Sequence, residues 1–396
     1  MARTLFAELL CTITDVVTLM TAWISATNIV SPLGLTSNEN FLAVRQGRSG
    51  LAPHNVEFAP EPLWVSAIDT NWLNEAFEDI ANPAQYSRLE QMSILSISDA
   101  LRRSGLSITE RTGFVYCTTK GNIDALQSVM ASQSATTLPL HELANKVAQF
   151  IGMTTTPVVV SNACVSGLQG LIVAHRLLDL DLYDDVIVTG GDMLSKFTLT
   201  GFKSFNALSR TVCRPFDADR DGINLGEAAA TIILSRNRST DQAVTLKGGY
   251  VTNDATHLSA PSRTGDGLTQ AIQRLHLPLA DQIGVDFVSA HGTATRYNDD
   301  MEAHAFFRTG LSTRPVHSLK GYFGHTLGAA GLLESIIVVK SLEENTLIAS
   351  KGFTRTGTKY PLPIVTQTVK QPLRCALKTS SGFGGGNAAA LFLKNV

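Results

Sequence analysis

Cysteine is scarce in this 396-residue chain, with five in all, an odd number. Cys11, Cys117, Cys164, Cys213 and Cys375 form no CxxC pair, no metal-ligand spacing and no regular framework. Disulfides are therefore not expected, and a reducing, cytoplasmic setting is. Long apolar runs are missing too, since nothing reaches the roughly 18 uninterrupted residues of a membrane span. The apolar opening segment is broken by Glu8 and Asp15 and carries only Arg3 as a positive charge, which argues against a signal peptide. An excess of one charge is absent as well: 32 Lys and Arg face 34 Asp and Glu, a formal net charge of −2, so there is no basic footprint for nucleic acid. No repeat of 20 to 50 residues is visible, which excludes a solenoid.

What remains is the composition of a globular enzyme, 44% hydrophobic and 17% charged with 31 glycines. Residues 1–19 read as an N-terminal extension upstream of a start at Met20, because TAWISATNIVSPLG has the pattern of a first strand and turn. From Thr21 short apolar strands alternate with helical stretches, which indicates an α/β protein with buried sheets. Helices are expected over 89–103 and 140–151 and after Cys164, and strands over 113–117, 157–160 and 186–189, the last ending at Gly190 and Gly191. The polar stretch RNRSTD at 236–241 divides the chain into halves 20–240 and 241–396. In the second half, 285–290 and 388–393 read as strands and 336–342 as helical.

Cys164 carries the first chemical signal. In TPVVVSNACVSGLQGL a strand gives way to small residues and a helix starts at or beside the thiol, where free backbone N–H groups and the positive helix end would favour a thiolate. Two histidines follow 34 positions apart, His291 in HGTAT and His325 in GHTLGAAG, each read as ending a strand-like segment and entering a glycine turn. Neither has a neighbouring ligand at zinc-helix spacing. The GFGGGN run from Gly382 to Asn387 lacks the Lys-Ser/Thr ending of a phosphate loop; its glycines suit close backbone approach to a reacting carbonyl. DADRDG begins like a calcium loop, but its twelfth position is Ala228, with Glu227 one residue short, so a charged turn ordering the site is the better reading. His175 and His304 have no comparable setting.

Taken together, VSPLG, GRSG, NACVSG, TGGDMLSKFTLTGF, RPFDADRDGINLGEAA, HGTATRYND, SLKGYFGHTLGAAG and GFGGGNAA occur in the order found in the β-ketoacyl-acyl-carrier-protein synthases, and the chain resembles that family from about Thr21 onward. The resemblance implies a thiolase-like α/β fold, two similar halves in five layers, assembled as a homodimer or as a heterodimer with a related subunit. It implies that Cys164 takes the acyl chain from a carrier-protein thioester and that His291 and His325 promote decarboxylation of malonyl-carrier protein and stabilise the enolate. Backbone N–H groups of Cys164 and Phe383 would form the oxyanion hole, with Phe383 also gating the acyl pocket. Thr293, Thr295, Gly384 and Gly385 would contact the pantetheine arm and substrate. Lys320 would tune the site, and Glu334 and Asp221 would brace it. The partner implied is an acyl carrier protein; beyond its phosphopantetheine no cofactor or metal is implied.

Three stretches depart from the family pattern: GEGAG stands here as GEAAA, HGTGT as HGTAT with Ala294, and NSFGFGGTN as TSSGFGGGN, with Ser381 for an aromatic and Gly386 for a threonine. These changes bear on the pocket wall and the gate, and they resemble synthases of aryl polyene-like pigments; plain fatty acid elongation is the alternative. Two other functions compete. A coenzyme A thiolase would need a second cysteine at the C-terminal glycine turn, and Cys375 lies well before Gly382. A chain-length-factor-like partner subunit normally lacks the nucleophile, which is present.

Overall fold

The computed structural model describes residues 21–126, 139–237, 243–275 and 284–395. The extension at 1–19, Met20, Cys11 and most of the polar divide at 236–241 lie outside the described residues.

Ten strands form the principal sheet. The first five are β1 (Ala22–Val30), β2 (Thr112–Cys117), β3 (Val158–Val160), β4 (Asp185–Asp192) and β5 (Ala228–Ser235). The second five are β6 (Val244–Asn253), β7 (Phe287–Ser289), β8 (Val316–His317), β9 (Cys375–Ser381) and β10 (Gly386–Lys394). The spatial order is β8-β7-β9-β10-β6-β1-β5-β4-β2-β3. Within each five, the first strand pairs antiparallel with the fifth, the fifth antiparallel with the fourth, and the fourth, second and third run parallel. The two sets therefore share one topology. They meet where β1 and β6 pair through Ala22 with Leu246 and Trp23 with Thr245.

Helices complete the layers. α1 (Arg88–Ser104) packs on β1, β4 and β5, with α2 (Leu140–Phe150) beside it. Between the two sets of strands lie α3 (Ser166–Asp179) and, from the second half, a long buried helix at Ala330–Glu343, each touching strands of both sets. On the far side α5 (Asp266–Arg274) covers β6 and β10, with α6 (Arg296–Arg308) against it, while α4 (Lys196–Ser204) lies near the front of the first half. The one-turn helix α7 (Lys320–Phe323) precedes the central helix, which is α8. Helix–sheet–helix–sheet–helix is the five-layer thiolase-like arrangement.

Local sequence explains the layers. In α8 every residue except Lys340 and Glu343 is buried, and a helix apolar all round belongs between two covered surfaces. Outer helix α1 instead has a polar face and defined ends: Ser87 Oγ accepts from the Glu90 N–H (3.2 Å), the Glu90 carboxylate accepts from the Ser87 N–H (2.8 Å), and Gly105 closes the helix at φ 64°. The central pair touches through glycines. A Cβ on Gly167 would lie 2.6 Å from the Gly328 carbonyl oxygen, and one on Gly331 would lie 2.6 Å from the Leu168 nitrogen. That close approach brings the start of α3 to the start of α8.

Several expected boundaries shift: the helical run expected at 336–342 begins six residues earlier, at Ala330, and the strand expected at 388–393 spans Gly386–Lys394. The strand expected at 186–189 runs on through Gly190 and Gly191 to Asp192, because both glycines stay in register with Ala230 and Ala229 of β5. The strand expected at 285–290 contracts to Phe287–Ser289, since Val285 and Ala290 are buried without joining a ladder.

Candidate active site

Cys164 sits on the turn that joins β3 to α3. Ala163 adopts φ 44°, an uncommon conformation for a residue with a side chain, and the turn is closed by hydrogen bonds from Val165 N–H to the Asn162 carbonyl (3.0 Å) and from Ser166 N–H to the Ala163 carbonyl (3.2 Å). The thiol is therefore held two residues ahead of the helix by a strained corner closed by these two bonds. Its electrostatics correct the expectation of a resting thiolate. Burial pushes the thiol up to about 11, and Lys120, Lys320 and the Phe383 N–H, all of which pull it down, only partly offset that. The desolvation of a sulfur buried this deeply outweighs the helix end, so the group rests as a thiol.

His291 follows β7 and is clamped on both sides of its peptide. Glu302 of α6 accepts from the N–H groups of His291 (2.8 Å) and Gly292 (2.6 Å), and Lys320 Nζ donates to the His291 carbonyl (3.1 Å). His325 is placed otherwise than expected. It follows α7 and the positive-φ Gly324 rather than a strand, and is fixed by its N–H on the Asn224 carbonyl (2.7 Å) and by its carbonyl on the Gly226 N–H (3.0 Å). The physical reason is that strand β8 has only two residues, after which the buried SLKGYFG run turns as a helix. Sγ of Cys164 and ring nitrogens of the two histidines lie within 4.8 Å of one another, and the rings stand nearly perpendicular, 82°, with centroids 5.1 Å apart. Burial, then Lys320, holds both imidazoles well below the usual histidine range. Both are therefore neutral near pH 7. Nδ1 of His291 and both ring nitrogens of His325 have no hydrogen-bond partner among the described residues.

Beneath the imidazoles lies a layer of buried charge. Lys320 and Glu334 form an ion pair, and Glu334 holds a second ammonium, that of Lys378 on β9, at 2.7 Å. Burial pushes Glu334 up, but the two ammoniums outweigh it and keep the carboxylate below its ordinary range. Sequence reading singled out Lys320 and Glu334 and missed Lys378, Glu302 and Asp299. One signal was available for each group: a lone lysine inside the apolar strand CALKTSS, and two carboxylates three residues apart on the helix that follows HGTAT.

A cavity of about 550 Å³ opens onto the triad and is lined by Cys164, His291, His325 and Phe383 among others. Thr293 and Thr295 also line it, with their hydroxyls 2.8 Å apart. Phe383 stacks on Phe202 (centroids 5.7 Å) and meets Phe205 edge-on (5.8 Å), and its N–H points to the Cys164 sulfur. Gly382 presses on the nucleophile turn: a Cβ there would lie 3.1 Å from the Cys164 nitrogen. Gly384 and Gly385, expected to contact substrate, follow Phe383 in the same short turn, Gly384 exposed and Gly385 buried. The Gly384 N–H donates to the Leu258 carbonyl (2.6 Å), and the Gly385 carbonyl accepts from Asp254 N–H (2.8 Å) and Asn387 Nδ2 (3.0 Å). Asp221 lines the cavity and accepts from Ser209 Oγ (2.6 Å), whereas Asp217 accepts from Thr354 (2.6 Å) and Arg355 (2.9 Å) N–H groups, tying DADRDG into the fold. His175 is buried in α3, and His304 stacks on Tyr360 (4.5 Å).

Cysteine and two histidines are donors a zinc ion accepts. Zinc distances of 2.0–2.3 Å require donors roughly 3.4–3.8 Å apart in a tetrahedron, closer than the widest separation of 4.8 Å, so the site would have to contract around the ion. The same three groups suit covalent thioester chemistry as they stand.

Fold and site together define an acyl-transferring condensing enzyme. The chain belongs to the β-ketoacyl synthase family, whose N-terminal domain model matches residues 24–240 and whose C-terminal domain model matches 243–354. Among similar proteins, a putative mitochondrial 3-oxoacyl-[acyl-carrier-protein] synthase of Schizosaccharomyces pombe is 26% identical over 94% of this chain and 98% of its own. A 3-oxoacyl-[acyl-carrier-protein] synthase 2 of Mycobacterium leprae is 31% identical over 60% of each chain. A ketosynthase in complex with its chain length factor from Xenorhabdus doucetiae matches with a TM-score of 0.78 and 26% identity, covering 95% of this chain and 98% of that one. Among the described residues no helix is long and apolar enough to cross a membrane.

Proposed function

We propose that the protein is a 3-oxoacyl-carrier-protein synthase in which Cys164 is the nucleophile and His291 and His325 drive decarboxylative condensation. The observation that carries this reading is the convergence of one buried thiol and two neutral imidazoles on one cavity. A thiol resting near 11 needs a proton acceptor, and a neutral imidazole is at hand. Sulfur attacks the acyl thioester carbonyl of one carrier, the oxyanion is met by the N–H groups of Cys164 and Phe383, and the pantetheine thiol leaves carrying the proton. Malonyl-carrier then binds in the same cavity, with Thr293 and Thr295 along its arm. Loss of carbon dioxide leaves an enolate whose oxygen accepts hydrogen bonds from the imidazole N–H groups. Its carbon attacks the Cys164 thioester, the sulfur departs as a thiolate and takes up a proton from solvent, and the product is a 3-oxoacyl chain two carbons longer.

The partner on this reading is an acyl carrier protein, and the only prosthetic group involved is the phosphopantetheine it carries. The protein works in the cytoplasm as a dimer, either of two copies or with a related subunit; edge strand β3, where Val158 is 37% exposed, offers the unpaired ladder such an assembly needs. The primer is a polyunsaturated, aryl polyene-like chain. Supporting this is Ser381, which lines the cavity where the family carries an aromatic and is turned aside onto Asn387 (2.7 Å). Halves 20–240 and 241–396 are the two units of the fold on this account, with nucleophile and histidines divided between them.

Peptide mapping after incubation with a panel of acyl carriers tests the reading. The acyl mass is expected on Cys164, faster for unsaturated than for saturated primers, and Cys164→Ser is expected to lower condensation by more than about a thousandfold. Acylation elsewhere, or undiminished condensation in the variant, would contradict it. Equal rates for saturated primers would return the chain to ordinary fatty acid elongation, and native mass spectrometry distinguishes two copies from a mixed pair.

A further inference from the structure

Three successive carbonyls lead into and include the first histidine, and each is held by a buried ammonium. Lys378 Nζ donates to the carbonyls of Ser289 (3.2 Å) and Ala290 (3.4 Å), and Lys320 Nζ to that of His291 (3.1 Å). The Lys378 side chain also reaches the Thr379 carbonyl (2.5 Å), and both ammoniums meet on Glu334. Lys320, Lys378 and Glu334 have their side chains almost wholly out of water. We infer that Lys378 is a positioning residue for condensation, acting through the backbone that presents His291. This rests on the functional reading above and deepens it.

The cost of the arrangement shows that it is not a packing convenience. An ammonium at a fully buried strand position loses its hydration, and burial lowers Lys378 despite the pairing with Glu334. A methionine or leucine would fill the same space without that cost. What the charge supplies is grip and field. With Glu302 holding the N–H side of the same peptide and Lys378 and Lys320 the carbonyl side, the His291 loop has no free direction in which to slide. The charged and titratable groups around the histidine pair are Lys320, Lys378 and Glu302, with Glu334 and His317 behind the lysines, Cys164 at the front and Lys120 toward His325, while Asp299 holds the Thr293 N–H next along the loop. Lys378 is among the cations that hold both imidazoles low, so it contributes to keeping them neutral hydrogen-bond donors.

The test compares Lys378→Met and Lys378→Arg with wild type, reading self-acylation of Cys164 and condensation separately across pH. In Lys378→Met the condensation kcat should fall about tenfold to a hundredfold, the size of effect a small misplacement of a reacting group has, with KM for malonyl-carrier unchanged and self-acylation within about twofold. Removing a cation raises the histidines, so the acid limb of kcat should move to higher pH in Lys378→Met and stay put in Lys378→Arg. Unchanged condensation, parallel loss of both half-reactions, or failure of both variants to fold would overturn the inference in favour of a purely structural lysine. A wild-type protein that does not acylate at all would instead bring down the functional reading beneath it.

Discussion

His291 and His325 are neutral because burial and nearby ammoniums hold them well below 6.5, and the proposed chemistry needs them that way. The kcat for the overall reaction should therefore show no step centred at pH 6.5 and fall only at distinctly lower pH, where the imidazoles take up protons and can no longer accept the thiol proton that acylation releases. A pH profile with a midpoint at 6.5 would contradict this. Replacing either histidine by asparagine should slow condensation about a hundredfold or more and slow Cys164 acylation less, because the remaining imidazole can still take the thiol proton, read by rapid-quench mass spectrometry. Cys164, His291 and His325 were legible because each stands in a distinctive small-residue setting. Lys378 and Glu302 were not, since a charged residue within an apolar strand or on an amphipathic helix signals burial only once its partners are known: for Lys378 that is Glu334, 44 positions away, and for Glu302 the His291 and Gly292 N–H groups of a loop that no periodicity places.

Between elements, the decisive contact is the glycine approach of α3 to α8, which carries the nucleophile turn to the His325 loop. Gly167→Ala places a methyl against a backbone oxygen that cannot rotate away, so urea unfolding should show a loss of about 1–3 kcal/mol together with slower self-acylation. A stability unchanged from wild type would show that α8 shifts freely. Most long elements could be read from periodicity: α1 and α2 have clear apolar stripes, and α1 has a capping box and a closing glycine as well. The short ones could not. Strand β8 has two residues and α7 four, too few for any period to declare itself, which is why His325 looked like a strand-end residue when it follows a helical turn.

Across the whole molecule, the two similar halves could be expected only through the family resemblance, because the halves share pairing geometry and not a residue pattern. Buried charge and neutral histidine also give the molecule a pH-dependent stability. His317 on β8, bonded through Nδ1 to the Ile348 carbonyl (2.9 Å), is pushed down to about 4 by burial. Below 6.5 the unfolded chain binds a proton that the folded one refuses, so stability present at neutral pH is lost as pH falls from 6.5 toward 4, by at most about 3 kcal/mol. Thermal unfolding of His317→Asn should show a shallower acid slope; an identical slope would mean that His317 is charged in the folded state.

The central claim is that one cavity performs both acyl transfer to Cys164 and decarboxylative extension. It is tested most directly by a single turnover, in which protein pre-acylated on Cys164 is mixed with malonyl-carrier labelled with ¹³C and the protein and carrier masses are followed in time. The account predicts that the acyl mass leaves Cys164 at the rate at which a labelled 3-oxoacyl chain, two carbons longer, appears on the carrier with loss of carbon dioxide. An acyl group that stays on Cys164, or leaves by hydrolysis while malonyl-carrier is untouched, would contradict it.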